Sequence, residues 1–364
     1  MGLTYGQGIN VLKKNKKMIL NIMFLLLLMA GTLFFVLKDQ SLYQIFDIMK
    51  DADNRWLYLA VGLVLIFVCS ESVIIKYLMK LLKQGISLLH CIKYSFIGFF
   101  FSCITPSATG GQPMQIYYMQ RDGLDISVST LVLLIVTVGY KAVLVLIGGV
   151  MFLFKGDFIL DHLGNVKYIF IYGIVVNLIF ITFLVIIIFK ESLAKIIICK
   201  LTSLLKKIHI VKNKEEFQQK LLDAMRPYHD GAIYIRQHGL VLLYVLIISM
   251  IQRCALFLVP WCVFKSFGLS GVSALEIVTL QAVIALSVDM LPLPGGMGAA
   301  EKSFSIMFET IFGSAFLVPG MLLSRGISYY FLVIISGIIT IFAHGLGKRK
   351  KKNINRGKND VRIL

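Results

Sequence analysis

The chain has 364 residues, of which 58% are hydrophobic and only 15% charged, with mean hydropathy +0.83 and a formal net charge of +18. No soluble core needs that much apolar sequence, which excludes an ordinary globular enzyme and makes the chain an all-α polytopic membrane protein. The basic residues lie between apolar runs and at both termini; that pattern fits cytoplasmic flanks facing anionic lipid and speaks against a nucleic-acid partner.

Six apolar runs are long enough to cross a bilayer as helices, near residues 18–37, 56–75, 127–154, 166–189, 240–264 and 318–343. The first follows Lys13, Lys14, Lys16 and Lys17. It is too long for a signal-peptide core and lacks a small-residue cleavage site, so it reads as a retained helix. Segment 38–55 balances three basic residues against Asp39, Asp47, Asp51 and Asp53 and belongs outside, as does a turn holding Asp157 and Asp161. The basic connector 190–239, as in "KKIHIVKNKEEFQQKLLDAM", belongs in the cytoplasm. It reads either as an amphipathic helix on the inner leaflet or as a solvated link. The tail 345–364 is basic and cytoplasmic, so 1–344 forms the integral membrane domain with both termini inside.

Two further apolar regions, 88–118 and 273–313, are interrupted by Pro and Gly. Charge counting makes the first start and end inside and the second start and end outside, which predicts two re-entrant hairpins of opposite orientation. Their breaks read "TPSATGGQP" (105–113) and "LPLPGGMGAAE" (291–301), with the same order of Pro then Gly-Gly. Irregular backbone survives at membrane depth only where it is buried in protein or lines a wet cavity. The order helix, hairpin, helix therefore occurs twice, in halves 56–154 and 240–343. Lys141 follows Gly110, and Arg325 follows Gly295, at nearly equal distances. Inverted repeats of this kind place a substrate site at their interface; the alternative is coincidence among glycine-rich membrane segments.

The candidate site residues follow from these breaks. Thr105, Pro106, Ser107, Thr109, Gly110, Gly111 and Gln112 form the first, and Pro294, Gly295, Gly296 and Glu301 the second. Each break starts a short helix, with Pro113 suited to a first helical position, Ser107 or Thr109 to a cap, and Glu301 to a first turn. Such starts bind anions through free N–H groups and the helix dipole. Glu71, Lys141, Arg253 and Arg325 lie inside predicted spans, and Asp289 and Glu301 flank the second break. Ionisable groups in hydrocarbon cost several kcal/mol, so they face a polar cavity or one another. A buried pair that only fixes helix register is the competing reading, and Glu71 can instead lie near the inner interface beside Lys76.

No His or Cys spacing fits a metal site, no CxxC pair occurs, and "GGMGAAE" follows no strand as a dinucleotide fingerprint would. Neither cofactor nor metal is expected. Ser107 lacks a nucleophile-elbow context, and no nucleotide-binding loop is present.

"TPSATGGQPMQIYYMQRDG" and "LPLPGGMGAAE", with Arg325 in the last span, resemble the lysylphosphatidylglycerol synthase transmembrane family, which includes the flippase domain of the multiple peptide resistance factor. The resemblance covers nearly the whole chain. It implies a bacterial plasma-membrane protein that translocates aminoacylated phosphatidylglycerol or a related anionic lipid between leaflets. In full-length relatives a separate soluble domain transfers lysine from lysyl-tRNA to phosphatidylglycerol; only the short basic tail follows His344, so that activity is not expected. Phosphatidylglycerol lysyltransferase, tied to antibiotic and cationic-peptide resistance, is the enzyme alternative. A membrane partner for a separately encoded lipid or glycan enzyme is the third. On the leading reading Glu71, Asp289 or Glu301 meets a lysyl amine while helix starts and cations hold the phosphate.

Overall fold

A computed structural model describes residues 41–190 and 226–344, with scattered positions from 23 to 38. Most of the first predicted run, the connector up to 225 and the tail 345–364 lie outside the described residues. Every regular element among the described residues is helical: α1 (Leu42–Lys50), α2 (Asn54–Leu81), α3 (Leu88–Cys103), α4 (Gly111–Arg121), α5 (Ile126–Leu163), α6 (Lys167–Phe189), α7 (Arg226–Gln237), α8 (Gly239–Phe257), α9 (Val259–Ser266), α10 (Ala274–Val288), α11 (Ala299–Met307) and α12 (Glu309–Arg325). A π-helical turn, Gly326–Phe331, carries α12 into a further helical stretch, 332–344.

Four helical runs are long and apolar enough to cross a membrane: Asn54–Leu81, Ile126–Phe189, Gly239–Ser266 and Glu309–His344. The second holds both α5 and α6, joined by the short turn Gly164–Val166. By contrast α3 and α10, at 16 and 15 residues, reach only about 24 and 22 Å at the helical rise, short of a bilayer core of about 30 Å. These two helices are the ones that precede the breaks.

Several predicted boundaries shift for identifiable reasons. Asp157 and Asp161 do not sit in a turn: α5 kinks at Lys155 (φ −132°) but continues to Leu163, and the chain turns where Gly164 takes φ +45°. The span from 240 breaks at Leu258, because Pro260 in the first turn of α9 has no N–H to continue the ladder. The last helical run starts at Glu309, just after α11, but Gly313 (φ +67°, ψ 167°) breaks it at the expected end of the second interrupted region, so an unbroken helix begins only after 313.

Packing divides the molecule into two apolar cores. One collects Ile74, Leu78, Tyr94, Met119, Leu131 and Val245, around the first hairpin. The other collects Leu144, Phe257, Leu280, Val283, Phe304 and Phe308, around the second. Helices α5 and α8 contribute to both, so they hold the two hairpins at a fixed separation. Two smaller groups remain: Ala60, Val64, Val68, Phe96, Val259, Cys262 and Leu332 in one, and Cys103, Ile104, Met297 and Tyr329 in the other, where the two broken turns pack against each other.

Candidate functional site

The first turn is a short 3-10 segment, Pro106–Ala108, between α3 and α4. Ser107 (φ +51°) and Ala108 (φ +54°) take the left-handed conformation, which costs non-glycine residues energy and tightens the reversal. Thr105 closes the turn: its Oγ1 donates to the Phe101 carbonyl at 2.7 Å and accepts from the Gly110 N–H at 2.9 Å. Thr109 donates to the Pro106 carbonyl at 3.0 Å. Neither Ser107 nor Thr109 caps α4. Gly110 is the N-cap, without a side chain to spend on the helix start, and Pro113 stands third in the helix rather than first. The α3–α4 pair packs backbone to backbone: a Cβ on Gly111 would lie 2.1 Å from Ser102 Oγ and 2.7 Å from the Gly98 carbonyl. At its open end the hairpin is tied by Lys93 to Asp122, and by the Tyr94 hydroxyl donating to Asp122 at 2.5 Å. Burial alone raises the Asp122 carboxyl, but these two donors outweigh it and hold it below its usual range.

The second turn, Pro294–Gly296, follows the same plan with different ties. Gly295 takes φ +58°, and a Cβ there would meet the Tyr329 hydroxyl at 2.2 Å, so both conformation and space demand glycine. Pro294 and Gly296 are buried. Glu301, third in α11, turns its carboxylate back to the Gly298 N–H at 2.7 Å. Its other oxygen accepts from Arg325 Nε at 2.8 Å, and Arg325 Nη2 donates to the Gly295 carbonyl at 3.1 Å. Arg325 also lies over the Tyr329 ring, and Tyr329 donates to the Cys103 carbonyl of the first hairpin at 3.3 Å. Arg325 thus pins the second turn, and Tyr329 spans the gap to the first.

Lys141 does not mirror Arg325. It pairs with Asp289, just before the second break, and donates to Asn177 Oδ1 of α6 at 3.2 Å. The cation that follows the first hairpin is therefore bound to the second. Gln112 of the first break donates to Thr137 of α5, and Arg253 of α8 stacks on Tyr140, 4.6 Å from its ring centroid. Thr137, Tyr140 and Lys141 are spaced three and four residues apart, on one face within about one turn of α5. That face touches the first hairpin, α8 and the second hairpin in succession.

Two charges in this region have no ion pair. Glu71 of α2 accepts from Gln115 Nε2 at 2.6 Å and lies beside Ser95, with no cation within 4 Å among the described residues. Lys76 is not beside it in function; its ammonium goes to the Ile86 carbonyl. Arg253 is buried with its Nε lacking any hydrogen-bond partner, and the neighbouring Gln252 Oε1 and Ser249 Oγ are likewise unsatisfied.

The sequence reading missed Gln115, Tyr140, Asn177 and Tyr329. Asn177 was within reach, as the one amide in the run 166–189, and Gln115 lies one helical turn from the Gln112 side of α4. Tyr140 and Tyr329 carry no sequence signal beyond adjacency to a buried cation.

A family model described as the lysylphosphatidylglycerol synthase TM region matches residues 18–336. A comparison with curated proteins finds no match.

Proposed function

The chain belongs to the lysylphosphatidylglycerol synthase TM region family, and from that premise we propose that it translocates an anionic phospholipid, phosphatidylglycerol or its aminoacyl derivative, between the leaflets of a bacterial plasma membrane. On this reading α3–α4 and α10–α11 are re-entrant hairpins that enter from opposite faces, in halves 56–154 and 240–343, and both termini are cytoplasmic. The lipid headgroup sits where their turns meet, while its acyl chains remain in the bilayer.

The observation that carries the reading is the α5 face at Thr137, Tyr140 and Lys141, where two broken hairpins and an arginine with no carboxylate partner converge. Irregular backbone and ionisable groups at the middle of long apolar helices are costly and are tolerated where they line a pathway. The start of α4, with no capping side chain, offers N–H groups and the positive end of a helix dipole. Arg253 supplies a charge not spent on any internal carboxylate and is the phosphate ligand. Glu71 is the acid left for an amine, since Asp289 and Glu301 already hold Lys141 and Arg325. Lys141 and Arg325 fix the walls of the site and reach the headgroup only by exchanging those carboxylates. Thr105, Pro106, Ser107, Thr109, Gly110, Gly111, Gln112, Pro294, Gly295 and Gly296 give the two turns their shape.

The test is a leaflet assay. The purified chain, reconstituted in vesicles containing a fluorescent phosphatidylglycerol, is expected to make inner-leaflet probe accessible to a membrane-impermeant quencher within minutes. Arg253→Ala slows this at least tenfold. Full-rate movement in Arg253→Ala removes Arg253 from the role, and movement no faster than in protein-free vesicles removes the function.

A further inference from the structure

Glu71 differs from the other two acids that lie among the packed helices near the breaks, Asp289 and Glu301. Asp289 is neutralised by Lys141 and Glu301 by Arg325, whereas Glu71 has only neutral donors in contact. Gln115 on α4 gives one N–H to Glu71 Oε1 and the other to the Tyr94 carbonyl at 3.2 Å. Its place is fixed by close packing, for a Cβ on Gly98 would fall 2.4 Å from the Gln115 Cδ. On α3 the Ser95 hydroxyl lies beside the carboxyl and itself accepts from Ser72 at 2.9 Å. From α8 the facing charge is Arg253, which acts on Glu71 through space without touching it, and from α5 the facing titratable group is Tyr140. Lys265 of α9 is at the opposite end of α2, where Ser266 meets Asp53. The tyrosines of the π turn are engaged with Arg325, Cys103 and Glu301.

A carboxylate at this depth with no cation in contact is held in its charged form at a cost of several kcal/mol. Two species relieve that cost: an ammonium group or a proton. Glu71 is also half-buried, unlike Lys141, Arg253 and Glu301, which leaves the residue partly open to an entering group. Oε1 is occupied by Gln115, and the other carboxyl oxygen takes the proton from water or gives it back. No redox change or further reactant is involved.

We propose that Glu71 is occupied alternately by the ammonium of an aminoacyl lipid and by a proton, which makes the chain a proton–lipid exchanger. The proposal rests on the translocation reading above. A lipid amine entering the site displaces the proton, and its departure on the other side leaves a bare carboxylate that takes up another. Lipid and proton therefore cross in opposite directions. A lipid without an amine has no claim on Glu71 and moves without this coupling.

The experiment uses the full chain in vesicles that hold an internal pH-sensitive dye, with the membrane potential clamped. Fluorescent lysylphosphatidylglycerol and fluorescent phosphatidylglycerol are compared as probes. One proton per lipid across one pH unit shifts the leaflet ratio of the lysyl lipid by up to about tenfold, in the direction against proton flow, and the dye reports matching proton movement. Phosphatidylglycerol shows neither effect. Glu71→Gln abolishes the shift for the lysyl lipid, and Glu71→Asp restores part of it, with the melting temperature of each variant as a folding control. Lysyl lipid that moves but distributes equally with and without the gradient overturns the exchange while leaving translocation intact. Movement of neither lipid in the wild-type chain overturns both. Should Glu71→Gln fail to fold, the wild-type dye response to lysyl lipid alone decides, and its absence overturns the proposal.

Discussion

The two hairpins are broken by the same residue types and held in opposite ways. The first is tied at its open end, where Lys93 and Tyr94 meet Asp122, and its tip depends on two hydroxyl bonds from Thr105 and Thr109. Pro106, Ala108 and Thr109 are exposed there. The second is tied at its tip, where Arg325 joins the Glu301 carboxylate to the Gly295 carbonyl among buried neighbours. Moving the second tip separates a buried ion pair; moving the first breaks neutral hydrogen bonds, those of Thr105 and Thr109 and the Tyr329 bond to the Cys103 carbonyl. The Pro and Gly order dictates where each hairpin breaks, and the kind of tie differs between them: the second turn is held by a buried ion pair and the first by neutral hydrogen bonds.

The contrast is broken most severely at Arg325. Arg325→Ala leaves Glu301 charged and buried without its partner, which costs about 4 kcal/mol. Denaturation in detergent measures that loss, and leaflet assays show lipid movement falling with it. Adding Glu301→Gln recovers part of the stability, because the stranded charge is gone; equal stability of single and double variants breaks the assigned pairing. Less severe is Gly111→Ala, whose methyl has no space between Ser102 and the Gly98 carbonyl. Forcing α3 and α4 apart costs about 1–3 kcal/mol, whereas Thr109→Ala on the exposed tip changes melting by less than about 0.5 kcal/mol. Matching losses at the two positions would mean that the first hairpin is held at its tip after all.

The smallest effect lies at the open end of the second hairpin. Glu276 accepts from the Ser273 N–H and hydroxyl at the start of α10, and pairs with Lys155 on α5. The Ser273 backbone bond, then its hydroxyl, hold the Glu276 carboxyl below its ordinary range. A depressed carboxyl contributes its stability above the ordinary carboxylate range of about 4.3 and loses it as pH falls through the lower folded value. Glu276→Gln keeps an acceptor for the Ser273 N–H and loses only a partly exposed charge, so it costs no more than a few tenths of a kcal/mol, about 0.3, at neutral pH. The difference from wild type closes as the solution is acidified below pH ~4. Hydrogen exchange at the first turn of α10 reads this directly, and a gap that widens in acid reverses the sign.

The sequence made the breaks legible because Pro and Gly act locally, through a missing N–H and a missing Cβ. Helix starts were less legible. Pro113 falls third in α4, since Gly110 and Gly111 let the chain begin coiling before it. Pairings were least legible. Lys141 reaches Asp289 across 148 positions, and nothing in the local sequence distinguishes that partner from Glu71 or Glu301. The near-equal spacing of Lys141 and Arg325 from their glycines predicts matching roles. The folded chain gives them different ones, because α5 faces both hairpins whereas α12 follows the second through the breaks at Phe308 and Gly313.

The π turn at Gly326–Phe331 follows Arg325 immediately and contains Tyr329. Such a turn holds one residue more than the α-helical path needs. Handing that residue along the helix by one hydrogen-bond exchange turns the segment on one side by about 100° relative to the other. The position of that extra residue within the last span therefore sets the rotation at which Tyr329 meets the Cys103 carbonyl, one turn beyond the arginine seated on Glu301.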